Sequence, residues 1–434
     1  MADSALTAPL RRPLFRRLAT TYAINEMGDW MGIVALSVLV YEATNSPLAT
    51  AGLFLGTRFL PGFLAPLLVT RIEKPPPRLA LPLVYCGETA AFGALALSVN
   101  NFSLTLVIVL ATIDGTLAVA GRALTRSVVA SLLEPAGELR AGNAVLNVSF
   151  TAGAALGPGL AGLVVAGLGL ETALLLNAAS FYLVAWILLT AGPLPRPEPE
   201  EGGTRARIRA GAKYLRENAV LRRLLIAQGA AFVFFSAVIP VEVIYAKESL
   251  GTSDTGYGVM LASWGVGMLI GSAVFARLRR APLILLLALS TLAVGAGYLG
   301  LAAAPTLAVA CAASVLGGTG NGVQWVSAIS AVQELTESGM QARVMAVLES
   351  IGAAMPGVGF AIGGLIAAIA APRTTFLVAG LGVLAIVALI APTLGGKRAG
   401  RLATPQGFPL DETNDVVLEL LPGGMPTPNS EVEL

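Results

Sequence analysis

The chain has 434 residues, 55% of them hydrophobic and only 12% charged, with a net charge of +2 and a mean hydropathy of +0.77. A soluble domain is about a quarter charged, so this composition excludes one and predicts an all-α integral membrane protein. With no histidine, the commonest metal ligand and the usual proton carrier near neutral pH are both missing; no metal site, cofactor or nucleic-acid partner is expected.

A basic lead (Arg11, Arg12, Arg16, Arg17) precedes the first apolar stretch, and no cleavable signal sequence is expected. Twelve stretches then reach about 20 residues or more, enough to cross a hydrocarbon core of roughly 30 Å. They run over 18–41, 47–70, 78–99, 103–132, 142–168 and 171–192, then 221–246, 254–277, 281–302, 305–333, 342–370 and 373–393. The first contains Asn25, Glu26 and Asp29, and positions 22, 26, 29 and 33 fall on one helical face. An ionised Asp at a membrane-helix centre costs roughly 2.5 to 3.5 kcal/mol, so that face is expected to meet water or a partner charge rather than lipid.

Lysine and arginine accumulate on the cytoplasmic side of a membrane. With the N-terminus inside, 23 of the 28 fall in cytoplasmic segments, 2 outside (Lys247, Arg373) and 3 within spans (Arg58, Arg122, Arg126), so both ends are expected in the cytoplasm. The longest connection, Gly192 to Leu221, starts proline-rich and continues through Arg205, Arg209, Lys213 and Arg216 as a basic amphipathic helix expected on anionic headgroups. It divides the chain into a first six-helix bundle (1–192), a cytoplasmic linker (193–220), a second six-helix bundle (221–393) and a disordered cytoplasmic tail (394–434). Leu139 to Gly162 aligns with Met340 to Gly363 at a constant offset of 201, as in parallel transporter repeats. Cys86 and Cys311 lie in separate apolar stretches and are expected to be buried and free.

Twelve spans split six and six, a long basic central loop and two inside termini resemble the major facilitator superfamily. The fifth stretch carries Gly153, Gly157, Pro158 and Gly162, similar to that superfamily's antiporter motif G-x-x-x-G-P-x-x-G-G with Ala161 at the penultimate position. Small residues let two helices approach closely, and the proline removes one backbone bond. Leu176 to Tyr182, Glu134 to Asn143 and the Gly28-Asp29 pair resemble the third drug:proton antiporter branch, exporters of macrolides, siderophores and other drugs. The loop after the second stretch departs from the superfamily pattern. Thr70 stands where an acid is usual, and Pro75, Pro76 and Pro77 follow.

Counted from the outer ends at about 1.5 Å per residue, Arg58, Glu88 and Asp114 lie about 16 Å deep, with Asp29 slightly deeper. Arg58 is therefore expected to pair with Asp114 or Asp29, and Glu26, Asp29, Asp114 and Arg58 form the expected proton-coupling set. Glu88 is expected to be structural, and Arg122 and Arg126 to snorkel toward the interface. Asn25 and Trp30 on one side, and Gln228, Phe232, Phe235, Asn321, Gln324 and Trp325 on the other, are the expected substrate contacts. Acids facing aromatics and amides suit amphipathic, often cationic molecules.

Without a phosphate-binding loop or a sizeable soluble domain, an enzyme is excluded. The resulting expectation is a monomeric secondary transporter in the cell inner membrane. It would exchange a small molecule for protons by alternating access, with the proton gradient as its only energy source. An uptake carrier or uniporter for one metabolite, and a non-transporting receptor or scaffold, are the alternatives.

Overall fold

The computed structural model describes residues 8–72, 75–196, 204–278, 281–337 and 340–390. The expected tail from 394 lies outside the described residues, as do the first seven residues and part of the linker.

Within them the chain is helical throughout. The first half holds α1 (Pro13–Thr44), α2 (47–72), α3 (Pro77–Ser98), α4 (Leu104–Leu133), α5 (Leu139–Leu168) and α6 (Leu170–Leu189). A connecting helix, α7 (Thr204–Glu217), follows. The second half holds α8 (219–249), α9 (Asp254–Arg277), α10 (Leu283–Ala303), α11 (Leu307–Leu335), α12 (Gln341–Ile369) and α13 (Pro372–Ile390). Leaving α7 aside, these are the twelve spans in two six-helix bundles that the sequence predicts. Ten of the described helices are long and apolar enough to cross a membrane.

The helix starts are written locally. Ser46, Ser103, Asn218, Ser253 and Thr306 each accept a hydrogen bond from a first-turn backbone N–H of α2, α4, α8, α9 and α11. Asn45 takes a left-handed conformation (φ 46°), which turns the chain from α1 into α2 within two residues. Two helices widen into π turns, Leu55–Phe59 in α2 and Tyr245–Ser249 in α8, and these turns carry Arg58 and Lys247.

The two halves join at the end of the bundle that carries Asn45. There α5 lies on α9 with almost no side chain between them: a Cβ on Gly258 would stand 2.4 Å from the Pro158 carbonyl oxygen, and one on Gly162 2.6 Å from that of Asp254. In the same way α2 lies on α12, with Phe54 and Phe360 rings 5.6 Å apart and Gly364 against Ala51. Polar contacts close this end. Tyr41 Oη donates to Glu248 Oε1 (2.8 Å), Lys247 Nζ pairs with Glu42 (2.7 Å) and with Asp254, and Thr255 Oγ1 donates to the Gly162 carbonyl (3.3 Å).

Two expectations change. The connecting helix docks on the second half: Gly211 sits directly against the Arg343 carbonyl, and Leu215 packs with Leu221, Leu225, Val332, Val344 and Leu348. An apolar face that finds α12 has less to gain from headgroups. Cys86 is exposed on the outside of α3 and Cys311 half-buried, both free. An apolar stretch in a membrane protein satisfies its thiols with lipid as readily as with protein.

Candidate functional site

The polar stripe of α1 faces α4. Tyr22, Asn25 and Glu26 are buried, Glu26 to 2% exposure, and a second stripe of matching pitch, Arg122 and Arg126, opposes them one turn apart on α4. The two helices run antiparallel, so the stripes meet rung by rung. Arg126 Nη2 donates to Tyr22 Oη (3.1 Å) with its guanidinium 5.9 Å over the ring, and Arg122 Nη1 forms an ion pair with Asp29 Oδ2. Asn25 Nδ2 donates to the same Asp29 oxygen (3.3 Å), a bond fixed by the i,i+4 spacing. Glu26 Oε1 and Asn25 Oδ1 have no hydrogen-bond partner.

This corrects the expected pairing of Arg58 with Asp114 or Asp29. α1 runs to Thr44, so Asp29 lies 15 residues, about 22 Å, from that end of the bundle. Arg122 lies 18 residues from the start of α4, about 27 Å. Arg58, at about 16 Å, is a turn too shallow, whereas a long guanidinium stem spans the remaining offset from Arg122 to Asp29. Arg122 is thus held by Asp29, contrary to the expected snorkelling, whereas Arg126 is exposed and reaches Tyr22. Arg58 and Asp114 are level, as expected, yet Arg58 forms no ion pair with a described residue. It lies 5.8 Å over the Trp30 ring and is exposed, although half-way along its helix. Asp114 is 8% exposed, with Oδ1 unpartnered.

The antiporter-like residues back this cluster. A Cβ on Gly153 would meet the backbone of Glu26 at 3.1 Å, and one on Gly157 the Trp30 Cβ at 2.6 Å; Pro158 and Gly162 carry the contact on to α9. Gly28 gives room to α6: Asn177 Oδ1 and Ser180 Oγ lie 2.4 and 2.8 Å from the position of its Cβ. The 176–182 stretch thus acts by pressing α6 onto α1.

The expected contacts of the second half separate into three places. The Phe232 and Trp325 rings meet at 6.1 Å, tilted by 57°, with Trp325 47% exposed. Phe235 belongs to an internal aromatic chain through Trp264 and Tyr298. Gln228 and Gln324 line an aliphatic cavity between α8, α10, α11 and α13, where Gln324 Nε2 donates to Thr291 Oγ1 (3.1 Å). Asn321 is half-buried on α11. Gly317, Gly318 and Gly322 let α9 approach the backbone of α11, and Gly320 lets α10 do so.

The sequence matches the family described as transmembrane secretion effector (MFS_3) over residues 4–393. No curated protein matches it. Among solved structures, the nucleoside transporter NupG aligns at 13% identity and TM-score 0.67 over 88% of this chain and all of that one. A bacterial homologue of the human lysosomal transporter Spinster, in an inward-facing and unoccupied conformation, aligns at 12% identity and TM-score 0.65 over 94% of this chain and 97% of that one. The human organic anion transporter MFSD10 aligns at 20% identity and TM-score 0.57 over 87% of this chain and 100% of that one. With a family match that spans all twelve membrane helices and the shared fold behind it, this chain belongs to the MFS_3 transmembrane secretion effectors, a family of major facilitator transporters and not of enzymes.

Proposed function

We propose that the protein is a proton-coupled exporter of amphipathic, cationic small molecules, and that Glu26 and Asp29 are the groups at which proton and substrate compete. The observation that supports this most is the division of labour on α1. Asp29 is held by Arg122 and Asn25, while Glu26, one turn away and buried, has a carboxylate oxygen with no partner. A proton or a cation arriving at such a pair displaces Arg122 from Asp29, which releases α1 from α4 and so ties occupancy of the site to helix movement. The exposed Trp325 beside Phe232 supplies a flat surface on which an amphipathic cation rests.

The lysine and arginine bias supports an Asn45 end on the outer side of the membrane; in this reading the sealed end is the outer one and the state is inward-facing. In this reading residues 1–192 and 221–393 rock as two bodies, parting the α5–α9 and α2–α12 contacts at the sealed end in the opposite state, the linker 193–220 stays cytoplasmic, and the protein works as a monomer.

The test is export of tetraphenylphosphonium from proteoliposomes under an imposed pH gradient. Gradient-driven export is expected in the wild type and lost in Asp29→Asn and Glu26→Gln; unchanged export in both variants sinks the mechanism. An uptake carrier for a single metabolite is the second reading, favoured by Thr70 in place of the loop acid. It predicts transport of one compound with no response to the lipophilic cation.

A further inference from the structure

Glu88 on α3 takes no part in the coupling step above. Its carboxyl is 0% exposed, and neither oxygen has a hydrogen-bond partner. Oε1 lies 3.8 Å from the position of a Cβ on Gly121, so the side chain presses on α4 beside the residue that holds Asp29. The charged and titratable groups around it are Asp114 and Arg122 from α4, Asp29 from α1 and Tyr85 on its own helix. α6 also packs on α3, but its ionisable groups are Glu171 at its tip and the outward Tyr182.

Charge balance decides what Glu88 is. Four carboxyls (Glu26, Asp29, Glu88, Asp114) share the space with three guanidiniums, but Arg58 and Arg126 are exposed and Arg126 is bonded to Tyr22, so Arg122 is the cation beside Glu88. Fully ionised, the buried part of the cluster would carry uncompensated negative charge away from water, at several kcal/mol. Arg122 is already committed to Asp29, and Glu88 has neither a donor nor solvent to hold a negative charge. We infer that Glu88 is a second proton-carrying carboxyl, neutral while Arg122 holds Asp29, and that Arg122 exchanges Asp29 for Glu88 during transport. The step balances. The carboxylic acid of Glu88 gives up its proton as the carboxylate of Asp29 gains one, Arg122 follows the negative charge, and the net charge of the site is unchanged. The inference rests on the proton-coupled reading, and it assigns to α3 a role that makes the α1–α4 pair reversible.

The experiment is infrared titration of protonated carboxyl groups in the purified full-length protein, with no substrate, for wild type, Glu88→Gln, Glu88→Asp and Asp29→Asn. Glu88→Gln is expected to lose one component of the protonated-carboxyl band, and Glu88→Asp to restore it at a shifted position. In proteoliposomes, Glu88→Gln is expected to flatten the pH profile of tetraphenylphosphonium export, whereas Asp29→Asn abolishes the export. A folded Glu88→Gln protein that keeps every component overturns the inference, even where Asp29→Asn behaves as the coupling reading requires. Should Glu88→Gln fail to fold, Glu88→Asp decides: an unshifted band overturns the inference. The band is read without substrate, so failure of the export assay in all variants counts against the coupling reading, while the titration by itself decides whether Glu88 carries a proton.

Discussion

Replacing Gly258 by alanine tests whether the sealed end is one of two working states. The added methyl would stand 2.4 Å from the Pro158 carbonyl oxygen and 3.0 Å from the Gly162 Cα, both backbone atoms that cannot rotate away. Reaching ordinary contact requires α5 and α9 to part by about 1 Å, and overpacking of that kind costs about 1–3 kcal/mol. In the opposite state proposed above these helices separate at this end; the cost then falls on the sealed state alone, and the population ratio is expected to move about 5- to 150-fold toward opening. The assay is a spin-label distance between Asn101→Cys and Ala371→Cys, exposed positions on the two halves at this end, in a Cys86→Ser, Cys311→Ser background. Gly167→Ala is the control, because it lies on α5 with nothing within 4 Å of its Cβ position and shares the small gain in helix propensity. A distance distribution for Gly258→Ala that matches the Gly167→Ala control refutes the reasoning.

Four further expectations follow from the geometry. Arg122→Leu leaves a buried carboxylate alone and should cost about 3–5 kcal/mol in denaturant unfolding, with most of it recovered when Asp29→Asn is added; a double variant no more stable than the single one contradicts the ion pair. Lys247→Glu places a fourth acid among Glu42, Glu248 and Asp254, and should lengthen the same spin-label distance more than Lys247→Met, which removes pairs worth about 0.2–1 kcal/mol each. Gly28→Ala should destabilise the protein by about 1–3 kcal/mol, and Asn177→Ala should relieve it, as measured by thermal unfolding in detergent. Gln324→Leu should cost about 1 kcal/mol for its bond to Thr291 yet leave tetraphenylphosphonium export intact, because Gln324 faces a cavity inside the second half; loss of export would return it to the substrate path.

The twelve spans were legible because their signal is coarse. A helix that crosses a membrane must be long and apolar whatever it packs against, and Lys and Arg avoid its interior. α11 shows the limit of apolarity alone. Leu307–Leu335 holds Gly317, Gly318, Gly320 and Gly322, which lower its mean hydropathy, yet these glycines are what allow α9 and α10 to touch its backbone. The antiporter-like glycines were legible for a related reason: close approach has one sequence signature, small residues at helical spacing, and Gly153, Gly157 and Gly162 each meet a neighbour's backbone or Cβ where that signature stands.

The charge partners were less legible, because they depend on lengths that hydropathy does not fix. Ending α1 at residue 41 brings Asp29 to nearly the level of Arg58, whereas its true end at Thr44 lowers Asp29 by one turn and hands it to Arg122. The signal that does find the pair is pitch rather than depth. Tyr22, Glu26 and Asp29 on α1, and Arg122 and Arg126 on α4, are stripes of opposite character with matching spacing on antiparallel helices, and such stripes register rung to rung wherever the ends fall. Arg58 escapes the register because the π turn Leu55–Phe59 inserts a residue into its helix and turns its side chain onto Trp30. That displacement leaves Arg58, like Arg126, without a carboxylate, and at least one carboxyl without a cation. Such an imbalance inside a membrane is resolved by protons or by a charged substrate, which is why the mismatched residues, rather than the paired ones, carry the functional argument.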